Sequence, residues 1–584
     1  MAIPIMNVRM GNLDTSRRRL LKATGAAGVT GLGLSTAGCI ETGDDDDGEP
    51  EDTPPDDEPE LTEPVPELRF VMPTEGSNAE RHELSLEAAN NFEAVGFEID
   101  RQQFDFGTQV EIALVEHNFD INVIGWGGTP ERIDPHTFIH DLHHGSESNI
   151  GPGGRNSPGY NNPEYNDIAD QQFVSVDMDE RQQLVHQAQE ILARDQPRTY
   201  IANEDDMHAY RHDNFENIVP TMGEGLNSFW NLIEATPLGD RDTLRFGYPT
   251  EITSLSPMQD MATPDRQWVR LLFDRLYRVT DEGIPEPWAA ADDPTFEDDG
   301  ETVVVPIREG MTFHDGEPVT AEDVAWSFEY FGEHSVTYGD RMAQVEEVNV
   351  TGDHEVTFHL TQAFAPFVAN VLAQIYIWPQ HIWQDVEDPV EVSIDDEETA
   401  TGSGPYKFNQ WDLEVELRLD AFEDHFSPPQ VDRIIRVPGA DTSTLVGMLE
   451  EDSIDMIGAT PSVTAQNRME DDPEITNVFA PTIAFFKFAY NMRNEVMQDV
   501  HLRRALSYCV PKQVYVDDML GGVGTVTHSP IAEVNEFWHN PDVEQFHFDL
   551  DAAEQELANN GYGWDDDGRL HYTEDHDPQM FLDG

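Results

Sequence analysis

The sequence predicts an α/β protein of at least two domains. Length is the first ground: 584 residues are too many for one hydrophobic core, even after removal of a leader. The second is alternation of strand and helix patterns. Residues 302–307 form a β-branched run, and a helix start follows at Thr320, with Asp323 three residues on and Val324 and Phe328 on one face. Residues 180–194 form a second amphipathic helix, with Leu184, Ala188, Ile191 and Leu192 on one face. Composition is the third ground. The chain is 38% hydrophobic and 9% aromatic, enough for sizeable cores despite a net charge of −82.

That charge narrows the partners. There are 115 acidic and 33 basic residues, and only Lys22, Lys407, Lys487 and Lys512 are lysines, so arginine supplies 29 of the 33. A surface of this sign repels phosphate and excludes a nucleic-acid binder that works through a basic face. At molar salt the screening length falls to about 3 Å and self-repulsion largely vanishes. An acid-rich, lysine-poor composition is that of proteins from extreme halophiles. The two cysteines, Cys39 and Cys509, are too few for a disulfide framework.

The first 67 residues read as an address and a tether. Ser16-Arg17-Arg18-Arg19-Leu20-Leu21-Lys22 resembles the twin-arginine export motif, and a short Gly/Ala-rich stretch runs to Gly38. Thr36-Ala37-Gly38-Cys39 resembles a lipobox, which makes 1–38 a removable signal and Cys39 the lipidated residue. Residues 39–67 are acidic and proline-rich, and are expected to form a solvated tether to the outer face of the membrane. No other segment reaches the length of apolar chain that spans a bilayer.

The most specific motif lies in the middle. Arg308, Gly310, then Phe313-His314-Asp315-Gly316, Pro318 and Thr320-Ala321 with Asp323-Val324 resemble the signature of family 5 extracellular solute-binding proteins, the dipeptide and oligopeptide receptors of ABC importers. Gly402-Ser403-Gly404-Pro405-Tyr406 with Trp411, Val431-Asp432-Arg433-Ile434, residues 449–455, and Asp499 to Tyr508 are similar to further family segments. Cys509 takes a small-residue position after that last helix, which makes it a buried, inert thiol.

The order of segments differs from the family's. Leu244-Arg245-Phe246-Gly247-Tyr248 and Ser254-Leu255-Ser256-Pro257 resemble the family's beginning. Asp120 to Trp126, Asp134-Pro135, Gly159 to Tyr165 and Tyr200-Ile201-Ala202 resemble its end, yet come first. Residues 68–236 thus read as the family's C-terminal third, 237–242 as a joint, and 243–584 as its N-terminal two-thirds. A circular permutant is the expectation, because two truncated copies would repeat each other internally and no repeat is visible.

The resemblance implies a two-lobed periplasmic-binding-protein-like fold (type II, cluster C) with an extra subdomain at about 290–395. One lobe would come from 243–475 plus the strand near 200–236. The other would come from 478–584 together with 68–198, its core assembled from both ends of the chain. It implies a cleft bordered by Gly125, Trp126, Gly127, Gly128, Thr129, Glu131, Asp134 and Arg155, with Tyr248, Asn491 and Trp411 on bordering segments. The glycines would admit a ligand backbone, Glu131 would face an ammonium and Arg155 a carboxylate. Glu131 reads equally as a surface acid, Arg155 as an exposed loop residue, and Trp411 as core packing. His136, His140, His143 and His144 include pairs four apart, the spacing of a metal site on a helix. With no cysteine beside them they read as surface histidines, and no metal or cofactor is assigned. The expected function is capture of a peptide or similar small polar solute for an ABC permease and its ATPase, by a monomeric, lipid-anchored receptor. An oligosaccharide or nickel receptor of the same fold is the alternative. An enzyme and a structural envelope protein are more distant ones, since no nucleophile elbow, paired-histidine zinc motif or phosphate loop occurs.

Overall fold

A computed structural model describes residues 60–128, 132–280 and 283–577. The leader, Cys39 and most of the tether lie outside the described residues, as do Thr129 and Glu131. Among the described residues no helix is long and apolar enough to cross a membrane.

Two mixed sheets organise two lobes. The first lobe holds seven strands, in the order Tyr406–Asp412, Glu416–Ala421, Arg433–Pro438, Thr243–Tyr248, Met456–Ile457, Asp206–Arg211 and Ile475–Ala480. Arg433–Pro438 runs parallel to Thr243–Tyr248, pairing Ile434 with Leu244 and Arg436 with Phe246. The second lobe holds six, in the order Thr525–Val526, Arg198–Asn203, Phe485–Tyr490, Ile121–Trp126, Leu68–Pro73 and Ile99–Phe104. Its pairs are parallel between Leu68–Pro73 and both of its neighbours, and antiparallel where Phe485–Tyr490 meets Ile121–Trp126.

Its central strands are buried on both faces, and their sequences show it. Phe485–Tyr490 reads FFKFAY and Arg198–Asn203 reads RTYIAN, with every residue buried. The second core draws on both halves of the chain: Phe70 meets Phe488 edge-on at 5.3 Å and Phe92 at 5.9 Å. Cys509 is fully buried there, and burial pushes its thiol far above the ordinary range.

A four-stranded antiparallel sheet (Thr295–Glu297, Thr302–Pro306, Glu355–Leu360, Val345–Gly352) forms the subdomain with helix Ala321–His334. That helix starts where the sequence predicts. Thr320 Oγ1 accepts from Asp323 N at 3.2 Å, and the Asp323 carboxylate accepts from Thr320 N at 2.9 Å. Helix Met178–Asp195 begins two residues before the predicted start, because Asp177 caps Glu180 N. Its buried face includes Val185, Ala188, Ile191 and Leu192.

The tether ends earlier than the sequence suggests. Leu61–Pro64 pairs antiparallel with Leu570–Thr573, and Val65 is buried. The exposed edge of a terminal hairpin captures the last apolar residues of an otherwise acidic run. The two ends of the described chain therefore lie side by side.

Candidate ligand cleft between the two lobes

Two segments cross between the sheets. Arg198–Asn203 leads through Glu204 and Asp205 into Asp206–Arg211, and Ile475–Ala480 leads through 481–484 into Phe485–Tyr490. The crossings are tied side by side: Asn203 Nδ2 donates to Ala484 O at 2.7 Å, and Thr482 N donates to Asp205 Oδ1 at 3.3 Å. Both are short and irregular, the geometry in which a hinge absorbs rotation. Burial raises the carboxyls of Asp205 and Asp206 above the ordinary range, and Thr482 and Thr460 respectively offset this by donating to them.

A cavity of 430 Å³ opens between the lobes. The second lobe contributes Arg132, His136, Asp141, Arg155 and Phe173, and the opposite wall brings Arg266, Asp340, Arg341 and Phe364. Four arginines against two aspartates is a local reversal of a chain with 33 basic and 115 acidic residues. Arg155 pairs with Asp141 at 2.9 Å, Arg266 donates to Thr263 Oγ1 at 3.1 Å, and Arg341 donates to Asn370 O at 2.9 Å. The guanidiniums of Arg132 and Arg155 lie over the indole of Trp126, at 4.7 and 5.7 Å from its ring centre. A second cavity of 330 Å³ between the lobes is mostly apolar, with Met178 and Trp538 on one wall and Tyr277, Ile284 and Phe296 on the other.

The structure brings together only part of the predicted set. Trp126, Arg155 and the Gly127 carbonyl, which accepts from Arg132 Nη1 at 2.6 Å, stand at the arginine-rich cavity. Gly125 and Gly128 are closely approached by the protein itself. A Cβ on Gly125 would lie 2.6 Å from Arg81 Nη1, and one on Gly128 would lie 2.4 Å from the hinge amide of Ala484. Arg81 in turn pairs with Glu204 at the hinge, at 2.6 Å. Asp134 borders the apolar cavity, but its two oxygens bind Arg181 at 2.7 Å each, inside the second lobe. Burial alone would raise its carboxyl, and the Arg181 charge overrides this and holds it below the usual range.

Asn491 stands apart from the cavity. It follows the end of Phe485–Tyr490 that pairs with Ile121, whereas the cleft lies at the end that pairs with Trp126. Its side chain donates to His117 O and Phe119 O at 2.8 and 2.9 Å. Trp411 sits near a hairpin tip opposite Leu417, and Tyr248 lies under Arg436 at 5.0 Å, so neither borders this cavity.

The four histidines separate. His143 is fully buried, its Nδ1 on Phe138 O and its Nε2 between Arg198 and Tyr200, all at 2.6 Å. Burial, then Arg198, keep it neutral. His136, His140 and His144 stack as a ladder with ring centres 4.9 and 4.5 Å apart. Arg132, Arg266 and Arg341 escaped the sequence reading. They come from three distant segments, and the one available signal, the scarcity of cations, does not select three of 29 arginines.

The family model "Bacterial extracellular solute-binding proteins, family 5 Middle" matches residues 285–581. Oligopeptide-binding protein AppA of Bacillus subtilis (strain 168) is 28% identical over 337 residues, 56% of this chain and 60% of that protein. The dipeptide-binding protein of Escherichia coli (strain K12) is 24% identical over 300 residues, 48% and 54% respectively. The chain thus spans somewhat over half the length of these relatives. Among solved structures, that of AppA with a nonapeptide aligns at TM-score 0.41 and 23% identity, covering 58% of this chain and 67% of that one. That of NikZ from Campylobacter jejuni with Ni(L-His) aligns at TM-score 0.43 and 20% identity, covering 59% and 67%. With just over half of its length matched by the family model, the chain belongs to the extracellular solute-binding proteins of family 5.

Proposed function

We propose that this protein captures a small anionic or zwitterionic solute, a peptide first of all, between its two lobes and delivers it to an ABC permease. The observation that carries the reading is the interlobe cavity with four arginines in a chain of net charge −82. A guanidinium fork matches a carboxylate, and placed on opposite lobes such forks would draw the lobes together over a peptide's C-terminus. The apolar cavity beside it offers room for a side chain. The names of the relatives, oligopeptide- and dipeptide-binding proteins, point the same way.

Calorimetric titration in molar salt, with short peptides carrying free or amidated C-termini, tests this. Free peptides are expected to bind, amidated ones about tenfold or more weakly, and Arg266→Ala to cost about 1.5–3 kcal/mol of affinity for the free acid. Binding of neutral sugars only, or equal affinity for acid and amide, would refute it.

The export and anchoring readings belong here as well: a twin-arginine leader and a lipidated Cys39, tested by mass spectrometry of the mature N-terminus. So does circular permutation. Its support is the pairing of Leu61–Pro64 with Leu570–Thr573, together with a second lobe whose strands come from 68–203 and 485–526. A chain reconnected through these ends and opened at 237–242 is expected to fold and bind alike.

A further inference from the structure

We propose that His136, His140 and Asp141 form a binding site for one borderline divalent transition ion, Ni²⁺, Zn²⁺ or Cu²⁺, with Asp170 and Arg155 orienting its ligands. The site lies wholly in the second lobe and does not rest on the peptide reading.

The three residues offer ligand atoms that all lie within 4.8 Å of one another. His136 Nε2 is 3.4 Å and His140 Nδ1 is 3.7 Å from Asp141 Oδ1. Two metal bonds of about 2.1 Å at a tetrahedral angle place donor atoms roughly 3.4 Å apart, so closure needs a contraction of at most about 1.4 Å along the longest edge. Two imidazoles and a carboxylate suit the borderline ions rather than calcium or magnesium.

Each ring nitrogen of His140 faces a carboxylate, Nδ1 toward Asp141 Oδ1 at 3.7 Å and Nε2 toward Asp170 Oδ1 at 3.8 Å, so an ion that takes Nδ1 leaves the Nε2 proton on the Asp170 side. His140 Nδ1 is buried and has no hydrogen-bond partner. His136 presents Nε2 to Asp141, while its Nδ1 is buried with no hydrogen-bond partner. Asp141 keeps its Oδ2 on Arg155 Nη1 at 2.9 Å, which holds the carboxylate in place while Oδ1 remains available. His136 and Asp141 also border the 430 Å³ cavity, so coordination positions left by the protein face it.

An overlapping trio, His140, His144 and Asp170, is close enough to hold an ion as well. It is disfavoured chemically. His144 Nδ1 accepts from Ser146 N at 3.1 Å, so the neutral ring carries its proton on Nε2, the atom that faces Asp170 at 3.3 Å.

The test titrates the metal-stripped full chain, in molar salt and without peptide, with Co²⁺ by visible absorption and with Ni²⁺ and Zn²⁺ by calorimetry. One ion per chain is expected, with absorption that reports imidazole ligation. His140→Ala abolishes saturable binding. Asp170→Asn, at a residue whose side chain is 63% exposed and so safe for folding, weakens it by about 10–100-fold. His144→Ala leaves it unchanged. Binding lost with His144→Ala, binding that survives both His136→Ala and His140→Ala, or no saturable binding would each overturn the proposal. Should His140→Ala fail to fold by circular dichroism, the Asp170→Asn and His144→Ala pair decides alone.

Discussion

Asp134→Ala separates a folding role from a binding role at a residue the sequence places in the cleft. Asp134 and Arg181 have side chains 6% and 2% exposed and meet through two 2.7 Å bonds. Removing the carboxylate leaves a buried guanidinium, and breaking a buried pair from one side costs about 3–5 kcal/mol. The remaining partners of Arg181 are Gln172 O at 3.1 Å, Gln172 Oε1 at 3.2 Å and the Trp538 face at 5.0 Å. These soften the loss and place it near the lower end, about 3 kcal/mol. For a lobe-sized cooperative unit that lowers Tm by roughly 6–12 °C. Asp134→Asn keeps one acceptor and should fall between the two. The carboxyl is held below its unfolded value, so this stability is present at neutral pH and lost as pH falls below about 4. Calorimetric melting in molar salt measures the shift, and peptide titration at a temperature where the variant is folded measures affinity. Unchanged melting with weakened binding would refute the reasoning.

Other expectations follow from burial and charge. Burial pushes His208 and His314 down to about 4. In the neutral rings His208 Nδ1 accepts from Leu226 N at 2.9 Å, and His314 Nδ1 accepts from Gly402 N at 3.1 Å. The unfolded chain binds protons at these sites below about pH 6.5 and the folded one does not, so stability falls as pH drops from there toward 4. Each site should cost about 2 kcal/mol at pH 5 relative to pH 7.5, and a Gln at either position should flatten that slope in urea titrations. Lowering salt from 1 M to 0.1 M lengthens the screening distance from about 3 to about 10 Å, and should unfold a chain of net charge −82. Unchanged circular dichroism in dilute buffer would sink the halophilic reading.

Local chemistry was readable where it is local. The capping box at Thr320 and Asp323 needs only four consecutive residues, and it forms. The buried helix face around Ala188, Ile191 and Leu192 follows from 3.6-residue spacing. The glycines at 125 and 128 were legible as sites of close approach. What approaches, the Arg81 guanidinium and the Ala484 amide, was not, since both partners lie far away in sequence. Asp134 looked like a binding acid because its partner Arg181 is 47 residues on.

The sequence by itself determined the family, the two-domain α/β class and the acidic surface, because motifs, periodicity and composition are properties of short segments or of sums. Tertiary structure alone decided which charges meet. Contacts within the second lobe consume Asp134, Asn491 and His143, and lobe apposition gathers Arg132, Arg155, Arg266 and Arg341 at one cavity. A side chain's role depends on its neighbours in space. In a chain with 115 carboxylates the sequence cannot say which of them finds an arginine first.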